Sequence, residues 1–160
     1  MKNLRIVFLA IISFSILSLT SCKKDDDTEV DSPVLSSGTL TLKVDGASWS
    51  ASLAVQAINS GGVLSVTGSD SNAKQCGITL VNITETGTYT IGGAGNHHQL
   101  RWTEGLNTNQ SYIATGLAGS GTVTVSELSA TAVKGTFSFT GMNTEQSTKS
   151  ITEGSFSASF

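Results

Sequence analysis

Proline is nearly missing from this chain, with Pro33 the only one, and charged residues make up only 13% of it. There are two cysteines, Cys22 and Cys76, and two histidines, His97 and His98. Each shortage excludes something. So few cysteines and histidines cannot build a zinc site of recognisable spacing, nor a disulfide framework. The low charge and the regular apolar pattern do not fit a disordered chain. After Leu19 no apolar run approaches the ~20 residues a spanning helix needs. Apolar residues at helical spacing are also absent over any three turns, which removes α-helical classes.

What is present is period two. Leu40, Leu42 and Val44 alternate with Thr39, Thr41 and Lys43, and Asp45-Gly46 follows as a hairpin signal. Trp49, Ala51, Leu53 and Val55 mark the inward side of a second strand. Further strands are expected near residues 63–68, 75–83, 87–92, 98–104, 110–115, 121–127, 133–140 and 150–160, separated by Gly/Asn/Ser turns. Val133, Gly135, Phe137 and Phe139 share one face, as do Phe156, Ala158 and Phe160. The expected fold is all-β, an antiparallel β-sandwich of about ten short strands. An up-and-down β-barrel is the alternative that periodicity alone does not exclude.

The N-terminus reads differently. Lys2 and Arg5 precede Ile6–Leu19, an apolar stretch of about 14 residues that suits a secretory signal better than a membrane span. Leu19-Thr20-Ser21-Cys22 resembles the lipobox of bacterial lipoproteins. That resemblance implies cleavage before Cys22 and acylation there, anchoring the chain in outer-membrane lipid. Next, Lys23-Lys24-Asp25-Asp26-Asp27 resembles the acidic export tag of Bacteroidota surface lipoproteins. It implies the cell surface, with the periplasmic face of the same membrane as the alternative. The expected organisation is a signal peptide over 1–21, a lipidated acidic tether over 22–37 and one β domain over 38–160. Fully extended, the tether reaches at most about 50 Å.

Cleavage removes two of the nine basic residues and no acid, leaving seven against twelve, a net of −5. Nucleic acid is therefore not an expected partner. The segments LKVDGASWSA, ITETGTYTIGG, GTVTVSELSATAVKGTFSFTG and SITEGSFSASF resemble a family of small Bacteroidota lipoproteins known only as a domain of unknown function. The resemblance implies a fold and carries no activity.

Chemistry-bearing residues are sparse. His97-His98 follows Gly92-Gly93-Ala94-Gly95, yet adjacent side chains of a strand point to opposite faces, so no metal site is expected. The glycine run lacks the Lys-Ser/Thr and the helix of a phosphate loop. No Gly-x-Ser-x-Gly elbow is present, and Asp45, Asp70, Glu85, Glu104, Glu127, Glu145 and Glu153 fall at turns and strand ends. No enzyme activity and no cofactor are expected, a hydrolase being the remote alternative. Cys76 shares parity with Ile78 and Leu80 and is expected to be buried and inert. Trp102, Tyr112 and Arg101, with His97 and His98, are the candidate ligand contacts. Their aromatic rings could stack on a glycan if exposed, although core packing is the commoner fate. The expected role is a surface binding module, with a structural envelope protein bound to a protein partner as the alternative.

Overall fold

A computed structural model describes residues 38–160. The expected signal peptide, Cys22 and the tag Lys23–Asp27 lie outside the described residues. The alternation becomes eleven strands: β1 (Thr39–Val44), β2 (Ala47–Ser50), β3 (Ala54–Ser60), β4 (Val63–Ser69), β5 (Gln75–Val81), β6 (Gly87–Ile91), β7 (Gln99–Thr103), β8 (Ser111–Ala114), β9 (Ser120–Leu128), β10 (Ala132–Met142) and β11 (Thr148–Ser159). A short 3-10 turn, Thr108–Gln110, is the only helical segment among the described residues.

The all-β, antiparallel expectation holds, and every strand belongs to one hydrogen-bonded sheet that curls into a half-barrel. The form lies between sandwich and barrel because β10 is shared. Along Val133–Thr140 it pairs with β9, which pairs with β6, while on its other side it pairs with β11 and so reaches β1 and β2. At its end, Met142 pairs with Ile113 of β8, opening a second arm ordered β8-β7-β5-β4-β3. The inner faces of both arms supply one core, including Leu40, Val123, Phe139 and Ile151 from the first and Leu64, Ile78, Leu100 and Trp102 from the second. The outer face of the first arm is rich in hydroxyls, with Thr88 bonded to Thr124 at 3.1 Å and Thr41 to Ser155 at 3.2 Å.

Turn chemistry sets the hairpins. Asp45 and Gly46 both take positive φ, as the tight turn between β1 and β2 requires. Asp70 organises the β4–β5 turn: its Oδ1 accepts the N–H groups of Asn72 and Lys74, and its Oδ2 accepts Nε1–H of Trp49 at 2.7 Å. Burial opposes the Asp70 carboxylate, but these three donors outweigh it and hold its pKa below the ordinary value. Gly135 is an inward position left empty for a reason. A Cβ there would stand 2.6 Å from Cζ of Phe156, its cross-strand neighbour.

Three expectations are corrected. The strand expected from Trp49 to Val55 is two strands. At Ala51–Leu53 the chain crosses between arms, with Ala51 N–H bonded to Leu40 O and the Ser52 and Leu53 N–H groups to Ser69 O. Leu53, expected inward, is consequently 59% exposed. Phe160, also expected inward, is 38% exposed at the chain end, beyond Phe156 and Ala158, which are buried.

Candidate functional site

Two of the expected contact residues are core residues. Trp102 and Tyr112 are cross-strand neighbours on the inner face of β7 and β8, and both rings are buried. Trp102 meets Trp49 edge-on with centroids 5.0 Å apart and donates its Nε1–H to Glu104 at 3.2 Å. The curl of the sheet closes over that face, so an open aromatic platform at Trp102 and Tyr112 is ruled out. Arg101 points outward, where its Nη2 donates to Gln75, away from the two histidines.

Cys76 lies opposite Trp102 on β5, buried as expected, and burial pushes its thiol pKa well up. Lys149 lies 3.0 Å from Asp45 and 3.4 Å from Glu104, Lys134 pairs with Glu127, Lys43 with Glu153, and Asn109 donates to Glu145. These carboxylates are each engaged by a side-chain partner, and two of them share Lys149. No group of three or more His, Cys, Asp or Glu is placed to hold a metal among the described residues.

His97 and His98 are what the fold brings into a usable place. The loop from Gly92 to His98 joins β6 to β7, and two depressions flank it, both lined by Gly95–His98. One, about 450 Å³, is closed on the far side by Thr115–Leu117; the other, about 510 Å³, by Val81 and Asn82. Gly116 is needed here. A Cβ at this position would lie 2.7 Å from the Asn96 carbonyl and 2.9 Å from that of Gly93, so only glycine lets the two loops abut.

The loop is pinned by side chains rather than by a ladder. Asn96 donates from Nδ2 to Thr90 O and accepts the His98 N–H on Oδ1 at 2.8 Å. Strand pairing between β5 and β7 ends at Thr79–Gln99. Beyond it the Val81 N–H donates to His98 Nδ1 at 3.1 Å, the imidazole taking the place of the next ladder residue. A ring that accepts on Nδ1 is neutral and carries its proton on Nε2, which makes Nε2–H a donor. Partial burial, and then the nearby His97, lower the pKa of His98, in agreement with that bond. Tyr89 packs edge-on against the ring at 5.8 Å and donates its hydroxyl to Glu85 O.

This arrangement has a pH signature. Because the folded-state pKa of His98 is depressed, the unfolded chain takes up the proton first as pH falls. The associated stability is present above about pH 6.5 and is lost on acidification, ahead of the carboxylates. Urea unfolding at about pH 7 and about pH 5 reads it. Wild type loses stability between the two, whereas His98→Gln, whose amide oxygen accepts from Val81 without titrating, loses less.

Asn82, Asn96 and the 115–117 loop were not singled out from the sequence. Asn82 takes φ 59°, and Asn is the residue that most readily tolerates this besides glycine, so its isolation at a strand end was the available signal.

The model of a domain of unknown function, DUF6252, matches residues 36–158. The chain belongs to the DUF6252 family. The match covers nearly all of the β sheet. No curated protein and no solved structure matches the chain. DUF6252 carries no activity in its description, so the functional reading rests on the loop site and the N-terminal motif.

Proposed function

We propose that this DUF6252 protein is a lipid-anchored outer-membrane protein, displayed at the cell surface, whose β domain binds a glycan in the depressions flanking His97 and His98. The observation that carries the binding reading is the pinned loop. Asn96 and His98 tie the loop Gly92–His98 to Thr90 of β6 and Val81 of β5, and a third bond, from the His98 N–H to Asn96, braces it from within. A site held in advance loses little freedom when a ligand enters. Its walls present amide, imidazole and hydroxyl groups from Asn82, Asn96, His97, His98 and Thr115, which both donate and accept as sugar hydroxyls do. Leu117, 96% exposed on the rim, offers an apolar surface to the C–H face of a ring.

The anchoring reading is supported by the basic start, the apolar stretch Ile6–Leu19, the lipobox-like Leu19–Cys22 and the acidic run after it. Two or more acyl chains on Cys22 would hold the protein stably, where one would not.

One set of experiments tests both parts. Wild type incorporates a palmitate analogue and is cut by protease added to intact cells, and Cys22→Ala incorporates none. Protection from the protease would instead place the protein on the periplasmic face. In a thermal-unfolding screen, a bound glycan at about 100 times its Kd adds about 2.7 kcal/mol, a rise of several degrees in Tm. Asn96→Ala removes that rise. No shift with any glycan, together with a copurifying envelope protein, would replace the glycan reading with the structural one.

A further inference from the structure

β3 is the last strand of the second arm. It pairs with β4 on one side and with no strand on the other among the described residues. Its start is sheltered where the arms meet, a Cβ on Gly38 standing only 2.8 Å from Val55 Cγ1, while from Gln56 to Ser60 no strand lies along the outer edge among the described residues. Open edges in natural sheets are blunted by shortness, charge, proline or a bulge. β2 has four residues, and β6 has five with Glu85 just before it.

β3 has none of these protections. Its seven residues pair with β4 in unbroken register, without proline or charge. No charged residue lies anywhere between Asp45 and Asp70, in a chain whose net charge is −3. On the outer face Ile58 is 62% exposed, and Val63 on β4, opposite Ser60, is exposed as well. An apolar strip therefore runs beside an unpaired edge.

We propose that this edge pairs with β3 of a second copy of the chain, antiparallel about a twofold axis that sets Ile58 opposite its own counterpart. Charge selects the occupant. Two acidic copies repel one another wherever their surfaces carry acid, and the β3–β4 region is an uncharged stretch that also carries an open strand edge. A charged peptide would gain nothing there. The strand is self-complementary in this register: Gln56 falls opposite Ser60, amide to hydroxyl, and the two isoleucines cover each other. The turn Gly61-Gly62 passes the sheltered end without a side chain to collide. Such a twofold contact is isologous and closes at a dimer.

Direct cross-strand Cβ atoms stand about 4.5–5.5 Å apart, close enough to the ~3.8 Å of a disulfide for mild oxidation to trap the pair. The test uses the full chain in its own membrane, with Ile58→Cys, and Leu117→Cys as a distant exposed control. The expected result is a doubling of apparent mass on non-reducing electrophoresis for Ile58→Cys alone. In the same register, copies carrying Gln56→Cys cross-link to copies carrying Ser60→Cys only when the two are mixed. Monomer from both sets would overturn the proposal, whether the edge stays free or the chain's own residues before Gly38 cover it. Equal cross-linking of the Leu117→Cys control would overturn it too, as would a disulfide to a different protein.

Discussion

Deleting Ser155–Phe160 is expected to abolish cooperative folding. These residues are the last five of β11 and the terminal Phe160; β11 lies between β1 and β10, where Leu40 pairs with Phe156 and Val133 with Ala158. Removing the buried Phe156 ring alone should cost about 3–5 kcal/mol. The lost backbone hydrogen bonds on both sides add about 1 kcal/mol each. The total is comparable to the ~5–15 kcal/mol that keeps a domain folded. Circular dichroism should show no cooperative melt. Deleting Phe160 alone removes a half-exposed ring and the bond from its N–H to Thr131 O, and should cost about 1 kcal/mol. If the longer deletion melts like wild type, the placement of β11 is wrong.

Trp102→Ala should be the most damaging single substitution, at about 3–5 kcal/mol, lowering Tm by about 10–20 °C. The ring is buried between Cys76 and Tyr112 on neighbouring strands, and Trp49 packs on it edge-on. Trp102→Phe keeps an aromatic core and loses the bond to Glu104, so it should cost less. It also separates packing from recognition. A buried Trp102 leaves glycan affinity unchanged in the Phe variant at temperatures where it is folded, whereas a ligand-stacking Trp102 would weaken it.

Strand period was legible because most strands have one buried and one solvated face. The inward set Val133, Gly135, Phe137 and Phe139 followed directly. The break between β2 and β3 was not legible. Trp49, Ala51, Leu53 and Val55 keep the alternation across the crossing, and what ends the strand is a pair of distant carbonyls, those of Leu40 and Ser69. Parity places Trp102 with Leu100, but parity does not say which face the sheet curls around, and the junction of the two arms, Met142 with Ile113, joins residues 29 apart in sequence. At the site, the His97-His98 pair was visible as residue type. The capping of Val81 by His98 has no local mark, since its partner lies 17 residues away. Asn96 was hidden inside a glycine-rich turn.

The central claim is that the pinned loop carrying His97 and His98 is where a ligand binds. Backbone amide shift mapping by NMR tests it most directly, with a glycan selected by the thermal screen titrated into the protein. The account predicts that the perturbed amides cluster at Val81–Asn82, Asn96–Gln99 and Thr115–Leu117, and that Asn96→Ala removes the response. Perturbations confined to the hydroxyl-rich outer face around Thr124 and Ser155 would contradict it.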